Sequence, residues 1–315
     1  MPDSFFVLSK DNLELAKDEI IAIAKTYDRF AKAKSFSNLI IIQSRTPWEK
    51  IAERASFVKT AGQVLKKMSN LFLDDEGFPL LLGTKTFACR VINLSKRHFD
   101  VQEIENTMGN LISKFSKAKV CLENPALVIY LIFTNSQSFF GFSTKFDKSK
   151  PPKKVKNHPH ELDSKLCRAM INLAGFKEGE TICDPFCGTG TTLLQAESMG
   201  MRSIGIDFDK KMCEISKQNL KENQFNSQVV NADYTHLKKI MKKYDGVVTD
   251  LPYGRASKSS VNPEKLLQNL VSILPRKKRI AIMCKKGSEK GLDLNLIKKY
   301  EIYRHKSLTR TILIK

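Results

Sequence analysis

The chain has 315 residues, a length that fits about two domains, and its 53 Lys and Arg against 33 Asp and Glu leave a formal net charge of +20. The excess is uneven: residues 1–150 carry 22 basic and 16 acidic side chains, residues 151–315 carry 31 and 17, so a polyanion is best steered toward the second half. Seven cysteines without a C-x-x-C pair or histidines at zinc spacing argue against a disulfide framework and a metal site, and the absence of a signal-peptide pattern or a bilayer-length apolar run makes a cytoplasmic protein the expectation.

Ser4 to Leu8 reads as a strand, Asp11 to Ala24 as a helix behind an aspartate cap, and Asn38 to Gln43 as a second strand. Ser56 to Met68 has helical apolar spacing and is predicted to be a helix. Phe87 to Leu94 is a strand, Val101 to Phe115 a helix, and Ala126 to Phe133 and Ser138 to Thr144 are strands paired across the polar Thr134-Asn135-Ser136. This mixture predicts an α+β module. Lys148 to Lys156 holds two prolines and five lysines in nine residues, a composition that builds no core element, so a basic linker is placed at 148–157. Its lysines are either solvated or in contact with phosphates.

Beyond the linker, helices are predicted at Ser164 to Ala174, Thr191 to Met199 and Lys210 to Asn223. Strands are predicted at Glu180 to Cys183, Arg202 to Ile206, Gln228 to Asn231, Tyr244 to Thr249, Arg279 to Cys284, Glu301 to Tyr303 and Thr311 to Ile314. The alternation implies an α/β fold with a doubly wound, mostly parallel seven-stranded sheet. The last two strands are close enough in sequence to form a hairpin, which makes one of them antiparallel.

Three groups of residues carry chemistry. In Asp184-Pro185-Phe186-Cys187-Gly188-Thr189-Gly190 the glycines lie between a strand and a helix, where backbone approaches a ligand closely and helix N–H groups are free. The dinucleotide fingerprint would need a third glycine where Leu193 stands, and no P-loop lysine follows, so a nucleoside cofactor fits best. Asp207, 19 residues after Gly188, ends the next strand, where an acid accepts from ribose hydroxyls. Asp233 follows the third strand and suits an adenine amino group, with Tyr234 or Phe208 against the ring. Each acid alone could be a helix cap or a solvated loop carboxylate; placed at successive strand ends they describe one cleft. Asp250-Leu251-Pro252-Tyr253 ends the fourth strand. An exocyclic base amine is a poor nucleophile because its lone pair is delocalised into the ring. The Asp250 carboxylate and Leu251 carbonyl can accept its hydrogens and re-aim that pair, Pro252 fixes the turn, and Tyr253 can stack on an extruded base.

By these residues 158–315 resembles a class I, Rossmann-like S-adenosylmethionine-dependent amino-methyltransferase. His158-Pro159, the glycine turn, Thr249 to Gly254 and His305-Lys306-Ser307-Leu308-Thr309-Arg310 more closely resemble the archaeal tRNA guanine-N2 methyltransferases acting on guanine ten. Residues 1–50 are similar to a ferredoxin-like region and 51–147 to a THUMP RNA-binding domain, with Phe87 to Phe146 the best-matching part. The resemblance implies S-adenosyl-L-methionine held by Asp184, Phe186, Gly188, Thr189, Gly190, Asp207, Phe208, Asp233 and Tyr234, and catalysis at Asp250, Leu251, Pro252 and Tyr253. It also implies tRNA as partner, gripped at its acceptor end, and is compatible with a small activating subunit. One departure is Leu251, where relatives usually carry proline, so the loop loses a φ restraint. The same tetrapeptide serves DNA adenine-N6 and cytosine-N4 methyltransferases, and a tRNA-binding protein with a vestigial methyltransferase fold is the non-enzymatic alternative.

Overall fold

The computed structural model describes residues 1–68, 85–146, 151–156, 161–252, 262–292, 294–305 and 308–315. The chain divides into two compact units, Met1–Glu53 with Phe57–Lys148 and Arg54–Ser56 with Ser149–Lys315. No described helix is long and apolar enough to cross a membrane.

The first unit runs β1 (Asp3–Leu8), α1 (Leu13–Tyr27), β2 (Lys32–Phe36), β3 (Leu39–Gln43), α2 (Trp48–Arg54), β4 (Val58–Met68), β5 (Thr86–Asn93), α3 (Val101–Phe115), β6 (Lys119–Val120), β7 (Leu127–Phe133) and β8 (Ser138–Thr144). Its strands form one sheet in the order β2-β3-β1-β4-β8-β7-β5-β6. The β7–β8 hairpin forms as expected, and α3 crosses over between the parallel strands β5 and β7.

The helix expected over Ser56 to Met68 is instead β4, eleven residues long and antiparallel to both β1 and β8. A bulge between Val64 and Lys66 resets the inside–outside alternation, and the resulting spacing of buried residues imitates a helical period. Gly62 carried the contrary signal. A Cβ there would lie 2.7 Å from the Phe5 ring, which packs directly over the strand. The aspartate cap expected for α1 is also displaced: the helix starts after Asn12, in the left-handed region at φ 52°, while Asp11 accepts from Ser9 Oγ.

The second unit runs α4 (Ser164–Leu173), β9 (Thr181–Asp184), α5 (Thr191–Ser198), β10 (Arg202–Asp207), α6 (Lys210–Glu222), β11 (Gln228–Asn231), a 3-10 turn (Tyr234–Lys239), β12 (Gly246–Asp250), α7 (Pro263–Ile273), β13 (Arg279–Lys285), β14 (Lys298–His305) and β15 (Leu308–Ile314). The seven strands lie in the order β11-β10-β9-β12-β13-β15-β14. Strands β9 to β13 are parallel and β15 is antiparallel to both its neighbours. The winding reverses between β9 and β12, so the crevice at their carboxyl ends is the natural ligand position of such a sheet. Helix α7 had a readable start in Asn262-Pro263-Glu264: Asn262 accepts from the Glu264 N–H at 2.9 Å, and proline occupies the first turn.

The described part of the basic linker has no helix or strand, as its composition requires, yet it is not a free tether. Asn219, fully buried on α6, accepts from the N–H groups of Val155 (2.9 Å) and Lys156 (3.1 Å) and donates to the carbonyls of Lys156 (3.0 Å) and Thr189 (2.9 Å). Asn223 exchanges two further bonds with the Lys153 backbone. Lys154 turns inward to pair with Glu161 at 2.9 Å and donate to Thr191 Oγ1 at 2.6 Å, so its charge is used within the unit, while Lys153 and Lys156 remain exposed. Asn219→Ala removes four bonds from a buried position. It should cost at least about 2 kcal/mol in denaturant unfolding and speed trypsin cleavage after Lys154 and Lys156, where Asn219 pins the backbone; unchanged stability and cleavage would refute the clamp.

Candidate active site

All the acids singled out at strand ends lie along the carboxyl edge of the parallel strands. Asp184 ends β9, Asp207 ends β10, Asp233 follows β11 and Asp250 ends β12. Three of them are gripped by the protein itself, each differently.

Asp184 is only 3% exposed. Its Oδ1 accepts from Thr249 Oγ1 at 2.5 Å and from the Phe186 N–H at 3.0 Å, tying the start of the glycine turn to the strand residue before Asp250. Burial pushes its carboxyl up to about 6, against the opposing hydrogen bonds of Thr249 and Thr192. A folded-state pKa above the unfolded value of 3.8 is a penalty that is absent below about pH 4 and complete above about pH 6. Asp184→Asn keeps the Oδ1 acceptor and removes the charge. Its stability relative to the parent should therefore rise with pH through this window, by up to about 3 kcal/mol; a gap that is flat with pH would refute the assignment.

Asp207 closes the glycine turn from the next strand. Its Oδ2 accepts from the Gly188 N–H at 2.9 Å and its Oδ1 from the Asp209 N–H at 2.9 Å. Burial raises its pKa, and these two N–H groups oppose the rise. Two bonds leave the carboxylate with further lone pairs. Gly188 and Gly190 are both left-handed, at φ 51° and 87°. A Cβ on Gly190 would stand 2.5 Å from Ser216 Oγ, so the turn packs on α6 there, whereas a Cβ on Gly188 would meet nothing within 4 Å and faces open space. Cys187, immediately before Gly188, packs inward, and burial holds its thiol well above the ordinary range, as in a structural rather than a reactive cysteine.

Thr189 is buried and donates to Glu161 Oε2 at 2.8 Å. Asp233 is exposed and caps the 3-10 turn by accepting from the Thr235 N–H at 2.9 Å. Phe186 and Tyr234 are half-buried with ring centroids 5.5 Å apart and planes tilted by 33°, and Phe208 is 50% exposed. An acid with spare lone pairs, an open glycine turn at the start of α5 and exposed aromatic surface fit a nucleoside such as that of S-adenosylmethionine.

At the end of β12, both oxygens of the Asp250 carboxylate accept from the guanidinium of Arg310 on β15, from Nη1 at 2.7 Å and from Nη2. Arg310 is 2% exposed; burial pulls its guanidinium down to about 9, still cationic at neutral pH. Leu251 is 1% exposed, and it belongs to the same core cluster as Leu266 and Ile282. Its N–H donates to the Met283 carbonyl at 2.9 Å, a bond proline could not make, which replaces the φ restraint lost with that residue. Pro252 is half-buried; Tyr253, Gly254 and His158-Pro159 lie outside the described residues.

The basic segment Arg276 to Arg279 follows Asp250-Leu251-Pro252 closely in sequence. It runs into the first residue of β13 and so lies at the strand's amino end, away from the acids. Arg279 there pairs with Glu180 at 2.7 Å. Lys285 and Lys286, at the carboxyl end of β13, do lie on the site's edge, with Lys286 pairing with Glu301 at 2.7 Å.

Comparison with known proteins agrees with this architecture. A family model described as "RMKL-like, methyltransferase domain" matches residues 151–304, and one described as "DNA methylase" matches residues 1–218. The crystal structure of TrmN from Thermus thermophilus superposes with a TM-score of 0.59 over 99% of both chains at 18% identity. The fold is that of a class I methyltransferase. The tRNA (guanine(10)-N2)-dimethyltransferase of Methanocaldococcus jannaschii is 27% identical over 98% of this chain and 97% of its own. A probable tRNA (guanine(10)-N2)-dimethyltransferase of Methanothermococcus thermolithotrophicus is 36% identical over 47% of this chain and 95% of its own. The chain belongs to the family of the tRNA (guanine(10)-N2)-dimethyltransferases, within the wider group of methylases that the two family models describe.

Proposed function

We propose that this protein transfers methyl groups from S-adenosylmethionine to the exocyclic N2 of a tRNA guanine at position ten. The observation that carries the reading is the acid-lined carboxyl edge at the switch point between β9 and β12, with Asp250-Leu251-Pro252 ending β12, in a chain alignable almost end to end with a tRNA guanine-N2 dimethyltransferase. Gly188, Gly190 and Asp207 hold the cofactor's nucleoside, with Asp233, Phe208, Phe186 and Tyr234 around its base, while Asp184 and Thr189 act by fastening the turn. When bound, S-adenosylmethionine supplies an electrophilic methyl on a sulfonium. The Asp250 carboxylate and the Leu251 carbonyl accept the amine hydrogens, which turns the nitrogen lone pair out of conjugation, and Tyr253 stacks on the guanine. The front unit supplies the hold on tRNA, with a ferredoxin-like region at 1–50 and a THUMP region at 51–147 sharing one continuous sheet. Both methyls are added, as the names of the relatives state for those proteins.

Labelled methyl transfer to unmodified tRNA transcripts, followed by nucleoside analysis, tests this reading. N2,N2-dimethylguanosine that disappears when guanine ten is replaced supports it. A second reading, methylation of a DNA amino group, is favoured by the match to the DNA methylase model; label on duplex DNA adenine or cytosine, with none on tRNA, would establish it instead.

A further inference from the structure

Arg310 takes no part in the function proposed above, yet it is among the largest fully buried side chains of the protein. It sits on β15, which pairs with β13 so that Lys285 faces Arg310, and β13 pairs with β12 so that Met283 faces Asp250. The side chain thus reaches past one intervening strand to the residue that ends β12. A lone ion pair taken out of water is a weak stabiliser and is often matched by apolar residues of the same volume. Holding up the terminal hairpin does not require it either, because β14 and β15 pair through their backbones on both sides of Ile302 and Arg310. What the fork does provide is two parallel bonds that fix the plane of a carboxylate and favour its charged form.

We infer that Arg310 is a positioning residue for methyl transfer, acting through Asp250; this rests on the reading of Asp250 as the acceptor of the amine hydrogens. A carboxylate has about four lone-pair positions. The fork occupies two, and the Asp250 side chain keeps 15% of its surface open, so an oriented, ionised acceptor faces the amine. A lysine at this position would retain the charge as a single point and lose the fork.

The test uses full-length protein with Arg310→Lys, Arg310→Gln, Asp250→Asn and the double variant Arg310→Lys with Asp250→Asn. Single-turnover methyl transfer to tRNA, calorimetric binding of S-adenosylmethionine and tRNA affinity are measured for each. Arg310→Lys is expected to slow transfer by about 10²-fold while both affinities stay within about threefold. Arg310→Gln should also move the acid limb of the rate to higher pH, because the carboxylate has lost its cation. In the Asp250→Asn background, Arg310→Lys should cost less than about threefold, since residues acting as one unit are not additive. Transfer by Arg310→Lys at the parental rate, costs that add in the double variant, or failure of both Arg310 variants to fold would each overturn the inference. Full activity in Asp250→Asn would instead overturn the reading on which it rests.

Discussion

Asp250→Asn is expected to lower the rate of methyl transfer by at least about 10²- to 10³-fold while S-adenosylmethionine binds as before. Asparagine has nearly the same shape but a single acceptor oxygen, and its amide nitrogen is a donor. Arg310 offers donors to both positions of the side chain. The remaining oxygen therefore turns to the guanidinium, and the amine meets either an N–H or nothing. Losing one aimed electrostatic partner of a developing charge costs about this much in other active sites. Asparagine is a better probe than alanine here. Asp250→Ala strands a buried guanidinium, at a cost of about 3–5 kcal/mol, so its loss of activity would mix chemistry with unfolding. A single-turnover rate for Asp250→Asn within tenfold of the parent would remove Asp250 from the chemistry.

The parallel half of the molecule was legible in the sequence because its strands are short apolar runs and three of them, β9, β10 and β12, end in an acid, Asp184, Asp207 and Asp250. In the front half β2 was invisible: Lys32-Ala33-Lys34-Ser35-Phe36 is an edge strand with mostly exposed side chains, and no buried face imposes a period. The partners of the acids were equally hidden. Thr249 reaches Asp184 across 65 residues and Arg310 reaches Asp250 across 60, and both pairings follow from strand order, which single-sequence periodicity does not encode. The insertion of β15 between β13 and β14 decides which basic residue of the final segment meets Asp250. The resemblance marked Arg310 as part of the His305 to Arg310 motif, but nothing in the sequence paired it with Asp250.

Asp207→Ala is expected to weaken S-adenosylmethionine binding by at least about 10²-fold. A hydrogen bond to a charged group contributes about 1.5–3 kcal/mol, so the loss of two ribose contacts alone reaches that factor at 1.4 kcal/mol per decade. The same carboxylate also holds the Gly188 N–H, so the variant loosens the turn that carries the open face of the cleft. Asparagine does not rescue this site. Both oxygens of Asp207 accept from backbone N–H groups, those of Gly188 and Asp209, so an amide must turn a donor toward one of them. Acidification should act in the same direction. Burial raises the pKa of Asp207, and protonation converts one acceptor into a donor, so cofactor affinity should fall as pH drops toward the carboxylate range, and the fall should be absent in Asp207→Asn. Calorimetry across pH on the parent, Asp207→Asn and Asp250→Asn separates the cases: the first should show the acid loss, the second uniformly weak binding, and the third parental binding at every pH. Affinity of Asp207→Ala within threefold of the parent would mean that the ribose is held elsewhere and that Asp207 serves the turn alone.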